Sequence, residues 1–417
     1  MRRGRNFQWV DHLVVDGAHR DELARMGLVE ESVPAPAGVT VMHHPKAMMP
    51  RFLLAETSVK GEVPLSLAIR PEFIADFAAA HNLEFRPEGG PRSRYRRFLI
   101  SEENGVSFFA VERLADRGFV VRDSTPDEQS AVASASELWR TRKRKGGDDA
   151  DGFARGFLVL DEVLQRVDRD VACQLFFEEE RRYWEGRNRA ARLQRHRQEL
   201  LGLGWGNHDH HTFRCSRRHF SDVITFLGRL GFEKRERFYA GAEAGWGAQV
   251  LEQPGAGLVV FADVDLMPEE TEVDFSSAPL PGVSKLGTVG LWCALHGDSF
   301  LQAGMHHLEA RFDFYRLRDQ LAEAGIATMK PFSDFDFLRQ AFTEGEIWAV
   351  EPARLDALVS DGRITAAQAE TFRNRGAIGS HLENLQRRGG FKGFNQKAVS
   401  VIIAETDPRN AIKTIPS

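Results

Sequence analysis

The chain has 417 residues, more than one ordinary hydrophobic core organises, with 42% hydrophobic and 28% charged residues. This is a globular balance, and a formal net charge of −5 argues against a partner drawn by charge, whether nucleic acid or an acidic membrane surface. Three cysteines, Cys173, Cys215 and Cys293, show no CxxC spacing, so no disulfide framework is expected and a reducing, cytoplasmic setting is.

In chain order, the start MRRGRNFQWVDHLVV is basic but lacks the apolar run and small-residue cleavage site of a signal peptide, so no leader is expected. No stretch approaches the roughly 18 consecutive apolar residues of a membrane helix. A unit of strand, amphipathic helix and further strands then begins at WVDHLVVDGAHRDELARMGLVEE and recurs at PLSLAIRPEFIADFAAAHNLEFRPEGG, with RYRRFLISEENGVSFFAVERL supplying strands. The chain next changes character. LWRTRKRKGGDDADG, Leu138 to Gly152, is polar and rich in Gly and Asp and reads as a loop. ACQLFFEEERRYWEGRNRAARLQRHRQELLG, Ala172 to Gly202, predicts one long charged helix. Its acids are interleaved with its arginines, which favours a solvated connector over a nucleic-acid-binding helix.

The third copy, HDHHTFRCSRRHFSDVITFLGRLGFEKRERF, carries Phe220, Val223, Ile224, Phe226, Leu227 and Leu230 at helical spacing, and GAQVLEQ and GLVVFADVD follow as strands. The fourth is MHHLEARFDFYRLRDQLAEAGIATMKPF. Strand side chains alternate between faces. His210, Thr212 and Arg214 therefore share one face and His211, Phe213 and Cys215 the other. In the fourth copy His307, Glu309 and Arg311 share a face, while His306, Leu308, Ala310 and Phe312 form an apolar one. His210 and His307 stand at equivalent places, each with an Arg four residues on. Two neutral imidazoles facing one cavity make a borderline divalent-metal site, and a carboxylate would complete the face that suits Fe(II) and O2. His208, His211 and His306 are given supporting or packing roles, and a one-residue slip would exchange His211 for His210.

The third ligand is sought in SHLENLQRRGGFKGFNQKAVSVIIAE, Ser380 to Glu405. As a strand it places His381, Glu383 and Leu385 on one face, although ENLQRR is also compatible with a helix. Gly389, Gly390 and Gly393 give a turn, and KAVSVII is a helix or a last strand. Glu346, Glu351 and Glu405 are rival carboxylates.

The string LENLQRRGGFKGFN resembles the C-terminal signature of 4-hydroxyphenylpyruvate dioxygenases, in which a metal-binding Glu precedes Gln-Arg-x-Gly. LWCALHGDSFLQAGMHHLEA is similar to the segment leading into that family's second metal histidine. The likeness covers Trp205 to about Phe232, Leu291 to about Ile326 and Ser380 to Ser400. It departs in GFKGFN, where Phe precedes Asn, and over SDFDFLRQAFTEGEIWAVEPARLDALVSDGRITAAQAETFRNRG.

The resemblance implies the vicinal oxygen chelate or glyoxalase-like fold, an α+β architecture of repeated βαβββ modules forming two half-barrel domains joined by the charged helical connector. The division expected is 1–137, 138–202 and 203–417. By resemblance, His210, His307 and Glu383 hold Fe(II), Phe391 and Asn395 lie on the lid or wall over the substrate, and Gln386 lies near its entrance strand. The implied reaction is oxidative decarboxylation of a 2-oxo acid with O2, followed by hydroxylation of the product. Arg311 or Arg214 would bind a substrate carboxylate or make a structural salt bridge, for instance with Glu309.

Three alternatives stay open: a 2-oxoadipate-type decarboxylating hydroxylase, an O2-independent glyoxalase-type lyase or isomerase using Zn(II) or Ni(II), and a binding module without activity. The N-terminal half has His12, His43 and His44 but no histidine opening its second unit, so it reads as a metal-free copy that supports the other half or shapes homo-oligomer contacts. GLGWG follows a helix rather than a strand and is no phosphate cradle.

Overall fold

A computed structural model describes residues 9–56, 65–271, 274–311 and 313–411. The first eight residues of the leader reading and Phe312 lie outside them. In the first copy β1 (Val10–Asp16) leads to α1 (Arg20–Arg25), then β2 (Val29–Glu30), β3 (Val39–His43) and β4 (Arg51–Ala55). In the second, β5 (Leu65–Ile69) and α2 (Ile74–Ala80) are followed by β6 (Tyr95–Glu103) and β7 (Val106–Arg113). A single bridge between Glu88 and Arg97 stands where another strand would pair.

Four helices intervene: α3 (Pro126–Thr141), α4 (Asp149–Leu164), α5 (Arg169–Glu185) and α6 (Arg189–Glu199). The third copy is β8 (His208–Arg214), α7 (Phe220–Arg229), β9 (Glu233–Tyr239), β10 (Trp246–Gln253) and β11 (Leu258–Asp265), and α8 (Thr288–His296) follows it. The fourth is β12 (His307–Arg311), α9 (Phe314–Glu323), β13 (Ser333–Phe335) and β14 (Leu338–Phe342). It is interrupted by β15 (Ile347–Trp348), α10 (Pro352–Ser360), α11 (Ala366–Arg375) and β16 (Ala377–Ile378), and closes on β17 (Glu383–Arg387). Helices α12 (Gln396–Glu405) and α13 (Pro408–Ala411) end the described chain.

Pairing explains why the copies work in twos. In each copy the last strand lies parallel to the first: β4 on β1, β7 on β5, β11 on β8 and β17 on β12. The first strands of neighbouring copies then run antiparallel at the centre, β1 with β5 and β8 with β12. The results are a 7-stranded sheet, β2-β3-β4-β1-β5-β7-β6, and an 8-stranded one, β13-β14-β17-β12-β8-β11-β10-β9. The α+β architecture of repeated βαβββ units in two open, half-barrel sheets is therefore present, with one strand short in the second copy.

The connector differs from the sequence reading in two ways. The stretch Leu138 to Gly152 is not all loop, because α3 ends and α4 begins within it. α3 is set by a capping box between Thr125 and Glu128 with Pro126 at its first position, and it buries Val132, Ala135 and Trp139. α4 starts where Asp148 accepts the Asp151 amide at 2.8 Å. Nor is Ala172 to Gly202 one solvated helix. It breaks at residues 186–188, where Asn188 caps α6 through the Ala191 amide at 2.8 Å. Phe176, Phe177 and Trp184 are fully buried. The charge that suggested exposure is paired inside: Glu180 meets Arg142 and Arg144 at 2.7 Å each. No helix among the described residues is long and apolar enough to cross a membrane.

Candidate metal centre

The two histidine strands meet at the centre of the larger sheet, where His307 pairs in register with Thr212. One strand over, Glu309 is in register with Glu383. Because residues two apart share a face, His210, Thr212, His307, Glu309 and Glu383 all project to one side. His210, His307 and Glu383 bring three metal-ligating atoms within 4.8 Å of one another. His307 Nε2 lies 3.0 Å from Glu383 Oε2, and His210 Nε2 lies 4.0 Å from the same oxygen. All three residues are buried, and all three line one cavity.

The surroundings hold these groups in orientation. His210 turns its Nδ1 to the Glu309 carboxylate, which leaves Nε2 facing the convergence point. That is the carboxylate-to-histidine arrangement usual behind metal-bound imidazoles. The Gln340 amide donates to Glu383 Oε1 at 3.1 Å and to Glu309 Oε1 at 3.3 Å. Arg387 donates to Asp209 at 2.6 Å and stands 3.7 Å from Glu309. Burial opposes a charge on His210, but Glu309, Asp209 and Glu383 outweigh it and push its pKa up to about 10. Burial, with Glu309 beside it, raises Glu383 well above the usual carboxylate range. Burial and the neighbouring carboxylates thus keep protons on His210 and Glu383, and a metal ion held by these donors would take the place of those protons.

The cavity is about 470 Å³ of empty space counted out to its mouth. Phe238, Trp246, Phe261, Phe332, Phe342 and Phe394 wall it, and Val399 and Ile403 of α12 cover it. The stretch KAVSVII is thus helix, and it serves as the roof. Asp263 also lines the cavity. Burial lifts this carboxyl to about 7 against the pull of Arg214.

The other candidate residues fall around this centre rather than in it. Arg214 is fully buried, pairs in register with Asp263 and lies 5.4 Å from the Trp292 ring, behind the cavity wall. Arg311 stands 3.5 Å from Asp209 and donates to the His208 carbonyl at 3.3 Å. Gln386 points to the opposite face, where it accepts the Phe314 amide at 3.1 Å. Phe391 packs edge-on against Phe337 in the loop before α12. Asn395 donates to the Phe332 carbonyl at 3.1 Å, and its neighbour Phe394 is the residue that enters the cavity.

Of the rival carboxylates, Glu346 accepts the Arg189 amide at 2.6 Å, Glu351 pairs with Lys145 at the surface, and Glu405 is exposed on α12. Among the site residues to which sequence reading gave no site role are Glu309, Gln340, Asp263 and Phe394. Strand alternation already put Glu309 on the histidine face, and FADVD shows an acid in an apolar strand. Gln340 and Phe394 carry no local signal.

Several solved structures show a distant likeness to the chain. A putative glyoxalase superfamily protein from Ralstonia eutropha JMP134 is 13% identical over 64% of this chain and 97% of its own, with a TM-score of 0.36. A mutant of 4-hydroxymandelate synthase from Streptomyces coelicolor is 12% identical over 98% of this chain and 99% of its own, with a TM-score of 0.29. An uncharacterized protein, YdcJ from Shigella flexneri, which includes domain DUF1338, is 12% identical over 68% of this chain and 84% of its own, with a TM-score of 0.26. No family model matches the chain, and no curated protein matches it.

Proposed function

We propose that the protein is a non-haem Fe(II)-dependent dioxygenase that oxidatively decarboxylates a 2-oxo acid of the 4-hydroxyphenylpyruvate kind and hydroxylates the product. The observation that carries this reading is the meeting of His210, His307 and Glu383 at one point on the wall of an aromatic cavity. Two imidazoles and one carboxylate on one side, with the cavity on the other, are the donor set that suits Fe(II) and O2. Fe(II) bound there supplies the one-electron chemistry with O2 that side chains lack.

The chain's residues do the positioning. Glu309 keeps the His210 proton on Nδ1, Gln340 fixes the Glu383 carboxylate, and the aromatic wall excludes water and receives an apolar side chain of the acid. The aromatic lining favours this substrate class over a 2-oxoadipate-like dicarboxylate, because Arg214 sits behind the wall and Arg311 is engaged with Asp209. The N-terminal half acts as a metal-free support.

The test is an anaerobic titration of Fe(II)-loaded protein with a panel of 2-oxo acids, read by a visible charge-transfer band, followed by oxygen uptake. Expected are a band and substrate-dependent O2 consumption with CO2 release, both lost in His210→Ala and His307→Ala. Turnover without O2 would assign the site to lyase or isomerase chemistry instead. Full iron retention by both variants would remove the assignment altogether.

A further inference from the structure

A second cluster lies beside the cavity triad. His306, His307 and His381 each offer a ring nitrogen, and the three atoms lie within 4.8 Å of one another. All three rings are buried. His306 Nδ1, His307 Nδ1 and both nitrogens of His381 have no hydrogen-bond partner among the described residues. Buried polar atoms are rarely left this way, and here four such atoms fall in one cluster.

The ring spacings are informative. Centres are 4.5 Å apart for His306 and His381, 5.0 Å for His307 and His381, and 5.4 Å for His306 and His307. Imidazole nitrogens held tetrahedrally at about 2.0–2.1 Å from a metal set their ring centres about 5 Å apart. Neither His306 nor His381 lines the cavity.

We propose that His306, His307 and His381 form a second, closed metal position for a borderline divalent cation such as Zn2+, distinct from the cavity point. It goes beyond the dioxygenase reading and shares only His307 with it. His307 Nε2 stands by Thr212, at 2.9 Å, and by Glu383, which leaves Nδ1 for the cluster. If both positions fill together, His307 bridges them and its last ring proton passes to solvent. The nearby Arg214 guanidinium opposes a cation, so the closed position fills after the cavity one.

The experiment titrates the metal-free full chain with Zn2+ and, separately, Co2+, counting bound metal by equilibrium dialysis and elemental analysis. The wild type is expected to bind two equivalents. His381→Phe and His306→Phe are expected to bind one, and that retained cavity equivalent reports that they are folded. His210→Ala is expected to keep the closed equivalent. The proposal stands only if His381→Phe removes an equivalent that His210→Ala leaves in place, and any other pattern overturns it. A wild type with one equivalent, lost in His381→Phe and kept in His210→Ala, would uphold the closed position while sinking the dioxygenase reading.

Discussion

The two sheets share a topology and differ in what their centres hold. In the larger sheet, Thr212, two residues beyond His210, pairs with His307, and Glu309, two beyond His307, pairs with Glu383. The same steps from His12 in the smaller sheet lead through Val14 to Ser66, and through Ala68 to Phe109. One donor of three is present. His12 gives its Nδ1 to Asp11 at 2.8 Å and packs edge-on against Phe119. Asp11 is in turn held by Arg113 at 2.7 and 2.9 Å, with the guanidinium over Tyr95 and Phe119. A closed ion pair occupies one half, and two histidines with a carboxylate lining a cavity occupy the other. The fold thus presents the positions, and the residues at three register points decide whether metal-ligating side chains meet there.

The largest test sets His210→Ala against His12→Ala. The first removes a ligand and should abolish stoichiometric metal binding at the cavity and all O2 uptake. The second should leave both intact and lower stability only, by about 1–3 kcal/mol for a buried, hydrogen-bonded group. Metal content after dialysis separates them, and loss of the cavity metal in His12→Ala would break the contrast between the halves.

Next comes the buried pair. Arg113→Met leaves Asp11 a buried carboxylate without its partner and should cost about 3–5 kcal/mol in chemical denaturation, with metal stoichiometry unchanged. Burial works against the Asp11 charge, but Arg113 and His12 overcome it and hold the acid well below its usual range. Its stabilisation is therefore present above the unfolded pKa near 4 and is lost as pH falls through the lower folded value. The wild-type advantage over Arg113→Met should shrink in acid.

Asp263 is the opposite case in the other half, a buried acid with no side-chain hydrogen bond among the described residues and a pKa lifted from 3.8 to about 7. Below about pH 4 it is neutral folded or unfolded. Between about 4 and 7 the unfolded chain ionises and the folded one does not, so stability falls as pH rises through the folded value. Asp263→Asn cannot ionise. It should gain on wild type between pH 4 and pH 8 by at most about 4 kcal/mol, three units at 1.36 each. A difference that stays flat with pH would place the Asp263 carboxyl in water.

Much of this was legible from the chain. Alternation along HDHHTFR and HHLEAR put His210, His307 and Glu309 on one face, because period-two geometry is local. Glu383 was reachable through its flanking pattern. The cavity was not, since Gln340, Asp263 and Phe394 come together only through the registers of β14 on β17, β11 on β8 and the seating of α12. The connector departs from its sequence reading for a related reason. A charged helix reads as solvated, and nothing local in RTRKRK or EEERR announces that Arg142 and Glu180 neutralise each other inside the protein.

Glu309→Gln gives the smallest and most discriminating effect. The amide oxygen can still accept from His210 Nδ1, but the charge that strengthens the imidazole as a ligand is gone, and losing such a partner typically costs 10–100-fold in metal affinity. A second consequence runs the other way. Glu309 is also the largest attraction holding the His210 proton, so in wild type an incoming metal must displace that proton at neutral pH. Removing Glu309 eases this competition while weakening the ligand, and the two effects part company with pH. At pH 6.5 they partly cancel, and the affinity gap between wild type and Glu309→Gln should be small. As pH rises toward about 10, proton competition weakens more for the wild type than for the variant, and the gap should widen toward the full 10–100-fold. A gap independent of pH would mean that Glu309 does not set the protonation of His210, and the smaller sheet's His12–Asp11 pair would then be the wrong analogue for it.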